Sequence, residues 1–295
     1  MPRRRKMADD FITENMCRHA DTVMLEHGIS NLPIDLPSLC QRLNIVLHPM
    51  TDENGPPGML IHERGNFIIA YAANTGNEGF ERFCIAHELG HFHIPGHVEA
   101  LFKTETVHES RAGFISDSKY EREADNFAAS LLMPKKIFKK AMQSTNLGIE
   151  AIQALSSQFT TSLLATAIRF TNFTDDSVAI IVSSKNTIDY CIMSPSFREL
   201  RGVSWIRKNS LLPRSTTTFS FNQDPAKIIS GQIIEATSDL REWFGSEKEI
   251  EVNEDVVGLG KTGQTLTLLH GIELPDEDDV AEDELVESWT PRFRR

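Results

Sequence analysis

The chain has 295 residues, of which 40% are apolar and 24% charged, and its net charge is −12. That length exceeds one typical domain of about 100–200 residues and is enough to bury a core. The composition is that of a globular chain, and its acidity argues against non-specific binding of nucleic acid or anionic membrane by the molecule as a whole. The charge is unevenly spread: residues 7–133 hold 19 acids and 8 bases, residues 134–174 hold one acid and 5 bases, and residues 276–287 hold 8 acids and no base.

No apolar run approaches the ~18–20 residues of a membrane helix; the longest is Phe67–Ala73. The basic start, Arg3 to Lys6, passes directly into Met7-Ala-Asp-Asp10 without the apolar stretch of a signal peptide. Cys17, Cys40, Cys84 and Cys191 form no CxxC pair. A chain of this size needs no disulfide staples, so a reducing cytoplasm is expected.

In chain order, residues 1–7 read as a disordered basic N-terminus. Residues 8–28 follow as an amphipathic helix with Phe11, Ile12, Ala20, Val23 and Met24 on one side. A short helix near Leu36–Leu43 and a strand at Asn44–His48 come next. Gly58–Glu63 and Asn66–Tyr71 flank Arg64-Gly65 and read as a β-hairpin. Thr75-x-x-Glu78 is a capping-box pattern opening a helix over 76–91, whose buried stripe is Phe80, Phe83, Cys84, His87 and His91. Pro95-Gly96 ends it. Residues 96–118 have no clear period and read as loop with a short helix, with His93 and His97 taken as a wet helix end. A second strong helix spans Lys119–Leu132, with Ala124, Phe127, Ala128, Leu131 and Leu132 inward.

Residues 147–159 and 162–170 form two helices joined at Thr160-Thr161, the spacing of a helix-turn-helix. From Ser177 the texture changes to strands at 177–182, 187–193, 249–257 and 265–269, interrupted by a helix-like stretch at Pro225–Glu235, so the last third reads as a separate α+β unit. Gly258-Leu-Gly260-Lys-Thr-Gly263 lacks the spacing of a phosphate loop and reads as a hairpin turn. From Pro275 the chain reads as a flexible acidic tail.

His87-Glu88-Leu89-Gly90-His91 carries the chemistry. Residues four apart on a helix share a face, so both imidazoles can reach one metal ion, and neutral imidazole suits Zn²⁺. Zinc lowers the pKa of bound water from about 15.7 to near 7. A carboxylate beside it, Glu88, accepts the proton as that water attacks a carbonyl, and then delivers it to the leaving amine. Two buried imidazoles and a buried Glu are costly without such a purpose.

A third protein ligand is needed. His97 stands ten residues after His87, the spacing of HExxHxxGxxH sites, but the glycine of that pattern is replaced by Ile94. Glu121 is preferred, with Asp125 one turn on to accept the N–H of a ligand His. Glu123 is a lesser candidate, expected on the solvated side of that helix. Cys84 reads as a small buried hydrophobe rather than a ligand. Tyr71 and Tyr120 are candidates for stabilising an oxyanion.

With His87-Glu-Leu-Gly-His91 and then Glu121-x-x-Ala124-Asp125-x-Phe127-Ala128-Ala129-x-Leu131-Leu132-Met133-Pro134, residues of about 20–135 resemble the ImmA/IrrE metallo-endopeptidases. The resemblance implies an α+β chain: a zincin-like peptidase domain over 8–135, a helix-turn-helix segment over 136–175, a GAF-like α+β sensor domain over 176–273 and the tail 274–295. It implies Zn²⁺ on His87, His91 and Glu121, and catalysis by Glu88. Asp125 stands where the family often has Asn, and either side chain can orient an imidazole. The family cleaves helix-turn-helix repressors and so relieves repression in DNA-damage responses or of mobile elements. Many relatives carry a DNA-binding domain ahead of the peptidase. None is read here, so the expected partner is a separate basic repressor, to which an acidic peptidase half is complementary.

The competing reading is a DNA-binding regulator with a structural or sensory metal site. Residues 162–170 offer a groove only Arg169, and Lys135, Lys136, Lys139 and Lys140 are the other bases nearby, so direct nucleic-acid binding is not expected. A hydrolase of some other amide is the third. An edge strand able to pair with a peptide backbone favours peptides over other amides, and Asn66–Tyr71 is the candidate.

Overall fold

The computed structural model describes residues 2–52, 55–110, 118–200, 203–245 and 249–272. They fall into two units, one built from the chain up to Asn146 with Glu150–Phe173, the other from Leu147–Ile149 with the chain from Thr174 on. The segment 136–175, read from the sequence as a piece of its own, falls mainly in the first.

Helix α1 (Pro2–Glu26) begins with proline at its first position, where a missing N–H costs nothing. No Gly or Pro follows before Glu26, so the basic N-terminus expected to be disordered is helical. After α2 (Leu36–Arg42), strands β1 (Ile45–Met50), β2 (Gly58–Glu63) and β3 (Asn66–Ala72) carry the first sheet. Arg64 and Gly65 both take positive φ, 51° and 82°, which suits the tight two-residue turn joining β2 to β3.

Helix α3 (Glu78–His93) is capped by Asn77, not by Thr75 as the sequence pattern suggested. Gly76 takes a positive φ of 76° and turns the chain there, so the Asn77 side chain accepts the Phe80 N–H at 3.0 Å. The Thr75 N–H instead donates to Glu81, at 2.8 Å.

Between residues 96 and 118 lie α4 (His97–Leu101) and a strand absent from the sequence reading, β4 (Val107–Ser110). Four residues reading Val-His-Glu-Ser have no apolar alternation to reveal them. The sheet order is β1-β3-β2-β4, with β1 and β3 parallel and the other pairs antiparallel. Asn66–Tyr71 is therefore central, both its edges used, and cannot be the free edge for a peptide. Among the described residues the outer strands are β1 and β4.

Helix α5 (Lys119–Leu132) packs across α3, and α6 (Lys135–Met142), α7 (Ile149–Phe159) and α8 (Leu163–Phe173) follow. The core of the first unit joins Met16, Ala20, Leu36, Leu39, Leu60, Ile69, Phe83, Leu89, Phe127 and Leu131. Burying each of the larger side chains contributes roughly 1.5–3 kcal/mol. Residues 165–171 of α8 are buried. Arg169 turns inward, donates to the Met133 carbonyl at 2.8 and 3.2 Å, and lies 4.4 Å from the Phe173 ring centroid.

The second unit is an antiparallel sheet in the order β6-β5-β9-β8-β7, made of β5 (Ala179–Ser184), β6 (Thr187–Met193), β7 (Ile233–Asp239), β8 (Glu251–Gly258) and β9 (Gln264–His270). Its helices are α9 (Pro195–Glu199), α10 (Thr217–Asn222), α11 (Pro225–Ser230) and α12 (Leu240–Phe244). Gly231, at φ 68°, stops α11, so Ile233–Glu235 enter a strand instead of continuing the expected helix. Gly258–Gly263 is the tight connection between β8 and β9, as expected. Ile181, Phe197, Trp243, Phe244 and Leu269 share its core. The acidic tail at 274–295 lies outside the described residues. Among the described residues no helix is long and apolar enough to cross a membrane.

Gly79, in the first turn of α3, lies against the connection before α8: a Cβ there would stand 2.2 Å from the Ser162 nitrogen and 2.3 Å from the Thr161 carbonyl carbon. Backbone on both sides cannot yield cheaply. Gly79→Ala should therefore destabilise the chain by about 1–3 kcal/mol, the cost of overpacking. Urea unfolding of the two proteins checks this, and an unchanged midpoint would contradict the close approach.

Candidate metal centre

The site begins with a missing side chain. Gly90 of α3 faces α5, where a Cβ would lie 3.1 Å from the Ala124 Cα and 3.2 Å from Phe127 Cδ1. Glycine against alanine lets the two helices approach closely. His87 is three residues before Gly90 and His91 follows it. Glu121 is three residues before Ala124 and Asp125 follows it, so the spacing of helical neighbours sets all four on the facing surfaces.

His87, His91 and Glu121 are buried, and their ligand atoms lie together. The two Nε2 atoms are 3.0 Å apart, His87 Nε2 is 3.3 Å from Glu121 Oε2, and His91 Nε2 is 3.4 Å from Glu121 Oε1. Two ligand atoms each about 2.05 Å from a tetrahedral centre are separated by about 3.3 Å. Among the described residues this is the one group of three His, Cys, Asp or Glu side chains with ligand atoms within 4.8 Å of one another.

The chemistry of the donor set fits a cation as well. His87 Nδ1 is 2.8 Å from Asp125 Oδ1. An ionised carboxylate only accepts, so Nδ1 carries the proton and the Nε2 of the neutral ring presents a bare lone pair. That lone pair faces a carboxylate and another imidazole nitrogen. Without a metal ion, a proton is the remaining positive charge that can relieve them: burial opposes it, but Asp125 and Glu121 raise the His87 pKa to about 10. Burial pushes His91 down to about 3 against the pull of Glu121. For Glu121, burial is outweighed by His108, His87 and His91, which hold its carboxyl well below the usual range.

Glu88 is fully buried, and neither carboxylate oxygen makes a hydrogen bond of ordinary geometry with a described group, though the Ser110 hydroxyl is near enough to favour its ionised form. Burial raises its pKa to about 7, against the opposing charge of His87. Space for that carboxylate exists because β2 begins with Gly58, where a Cβ would come within 2.4 Å of Glu88 Oε1. Ser110 of β4 pairs with Gly58 in register, and His108 pairs with Leu60. Alternation along a strand puts His108 and Ser110 on one face.

His108 is the residue the sequence reading missed. Its Nε2 is 3.1 Å from Glu121 Oε1, and its ring meets His91 edge-on at 4.7 Å. A lone His in a stretch without periodicity gave no signal, because its place depends on the pairing of β4 with β2.

His97 and Glu123 also differ from expectation. His97 is not a wet helix end but buried, with Nδ1 3.1 Å from His91 Nδ1 and Nε2 3.2 Å from Glu123 Oε2. Glu123, expected in solvent, has a side chain only 13% exposed and also pairs with Lys119. Neither joins the triad. Cys84 is a buried thiol pushed by burial to about 12, inert as expected. The Tyr120 ring meets His97 edge-on at 5.0 Å, and Tyr71 packs on the core.

Helices α3 and α5 with this triad form a candidate metal centre. Residues 40–171 match the family model described as the IrrE N-terminal-like domain, Peptidase M78. That stretch carries an IrrE N-terminal-like domain, the domain of a metallopeptidase family. A solved structure described as a transcriptional regulator of Mycobacterium tuberculosis has a similar fold, with a TM-score of 0.56 and 15% identity over 89% of this chain and 80% of that one. No curated protein matches the chain significantly.

Glu121→Ala should weaken metal binding by more than the roughly 10–100-fold typical of an outer partner, and by far more than His97→Ala. Competitive metal titration of both variants measures this; the reverse order would make His97 the third ligand. Added metal at about 100 times its Kd should stabilise the wild type by about 2.7 kcal/mol, read as a rise in Tm that a chelator reverses.

Proposed function

We propose that the chain is a zinc-dependent endopeptidase that hydrolyses a peptide bond in a partner protein. The observation that carries this is Glu88, a fully buried carboxylate without a hydrogen bond of ordinary geometry to a described residue, adjoining a triad of electron-pair donors. A structural metal site has no use for such a group. Two imidazoles and a carboxylate are a zinc-type donor set with a fourth position open for water.

A bound Zn²⁺ would acidify a water molecule and polarise the scissile carbonyl. Glu88 takes the proton of the attacking water and later gives it to the leaving amine, and its burial, which disfavours the charged form, makes it a stronger base for that shuttle. Asp125 holds His87 with Nδ1 protonated and Nε2 toward the metal. Among the described residues β4, which carries His108, is an outer strand of its sheet, a position from which an extended peptide can be paired, which supports a peptide over other amides.

The partner in this reading is a basic helix-turn-helix transcriptional repressor in the cytoplasm, cleaved to relieve repression in a stress or mobile-element response. The acidity of residues 7–133 is complementary to such a protein. The Mycobacterium tuberculosis neighbour, called a transcriptional regulator, is in keeping with a role in transcription. Helices α7 and α8 then serve as a helix-turn-helix-like bracket for packing. The second unit, an antiparallel sheet carrying helices, serves as a GAF-like sensor. Direct DNA reading is disfavoured by α8, whose residues 165–171 are buried with Arg169 turned inward. A mobility shift that persists at moderate salt would favour that alternative.

Glu88→Gln should retain metal and lose cleavage of a repressor by at least about 100-fold, the lower range of general-base catalysis. Wild-type cleavage by this variant would refute the mechanism. Gly58→Ala, which intrudes on the Glu88 carboxylate, should depress cleavage more than metal affinity. Cleavage assays paired with metal analysis separate the two.

A further inference from the structure

We propose that His97 and Glu123 form a hydrogen-bonded relay that fixes the ring and tautomer of His91, making His97 a positioning residue of the metal centre. This rests on the metal-centre reading above, but the relay itself is read from groups outside the triad.

The relay starts where the sequence comparison with HExxHxxGxxH sites breaks down. Ile94 ends α3 in an extended conformation, and Gly96, at φ 86°, turns the chain so that α4 begins with His97. This brings His97 back beside α3 on the outer side of His91, away from Nε2. Its imidazole is 1% exposed and uses both nitrogens: Nδ1 toward His91 Nδ1 at 3.1 Å and Nε2 toward Glu123 Oε2 at 3.2 Å.

The proton positions follow by elimination. Glu123 is also ion-paired with the Lys119 ammonium at 3.6 Å, and a carboxylate in an ion pair only accepts. His97 must therefore donate from Nε2. A neutral imidazole has one N–H, so its Nδ1 is an acceptor. His91 must then donate from Nδ1, which leaves its own Nε2 with a bare lone pair in the triad. The proton that would compete with a metal at His91 is held on the other side of the ring.

The arrangement gives each ligand its own outer contact. Asp125 takes the N–H of His87 directly at 2.8 Å. Glu123 reaches His91 only through the imidazole of His97. His108 contacts Glu121 Oε1 at 3.1 Å. Outer partners of this kind set ligand orientation and basicity. A helix packed for stability alone would place apolar side chains at 97 and 123, since a buried imidazole and a nearly buried carboxylate cost desolvation.

Leucine and asparagine have nearly the same shape, but Asn Oδ1 can accept from His91 Nδ1 where leucine cannot. The full-length protein, His97→Leu and His97→Asn would be titrated with Zn²⁺ against a chelating dye, with Co²⁺ spectra to compare ligand geometry. Thermal unfolding would confirm that each variant folds. The relay predicts that His97→Leu binds Zn²⁺ about 10–100-fold more weakly with an altered Co²⁺ spectrum, and that His97→Asn recovers most of the loss. In the metal-free wild type, ¹⁵N shifts should show His97 as the Nε2–H tautomer, a reading that stands even if His97→Leu does not fold. Equal affinity of wild type and His97→Leu, equal weakness of both variants, or an Nδ1–H tautomer at His97 would each overturn the relay alone. A wild type that binds neither Zn²⁺ nor Co²⁺ would instead overturn the metal-centre reading and the relay with it.

Discussion

Two imidazole nitrogens and a carboxylate held 3.0–3.4 Å apart repel one another unless positive charge lies among them. The first unit is organised around enforcing that contact. Helices α3 and α5 meet at Gly90 and Ala124, where there is no room for a larger residue, and the contact places His87, His91 and Glu121 together. The close approach of the two helices holds the donors together, where a cation or a proton relieves their repulsion. The raised pKa of His87 is the metal-free expression of the same constraint.

The surroundings of the triad divide into two sides with different tasks. On the side of α4 and α5, Asp125 and His97 contact the rings of His87 and His91 at their Nδ1 atoms, and Glu123 backs His97, leaving both Nε2 atoms for the metal. On the side of the sheet, Gly58, Ser110 and His108 surround the carboxylates. There Glu88 is desolvated and makes no hydrogen bond of ordinary geometry with a described residue. This leaves it a stronger base than a solvated glutamate while its position is set by the walls around it. One side orders the ligands, and the other holds Glu88 beside what is, among the described residues, an outer strand of the sheet.

Local patterns were legible wherever one short stretch decides its own conformation. The Arg64-Gly65 hairpin, α5 from Lys119 to Leu132 and β6 at Thr187–Met193 follow the sequence closely. Structure and local pattern part where a glycine turns the chain or a strand from elsewhere in the sequence pairs with the segment. Thr75 matches a capping pattern, but Gly76 turns the chain and gives the cap to Asn77. Pro225–Glu235 looked helical throughout, but Gly231 stops the helix and β8 recruits Ile233–Asp239 as a strand. Asn66–Tyr71 looked like an available edge because β4, which lacks apolar alternation, left no mark in the sequence.

The sequence by itself determined the chemical inventory: two His one helical turn apart, a Glu between them, and a Glu and Asp one turn apart on a second helix. Helical periodicity alone tells which of these share a face. It could not say whether the faces meet, because the two helices are separated by 25 residues that contain no decisive pattern. Tertiary structure decided that meeting through the Gly90–Ala124 contact. It also decided the opposite fates of two look-alike candidates, sending Glu121 to the triad and Glu123 to His97. The physical reason is that residues two apart on a helix point to different sides, and only the packing partner distinguishes a ligand from a ligand's support.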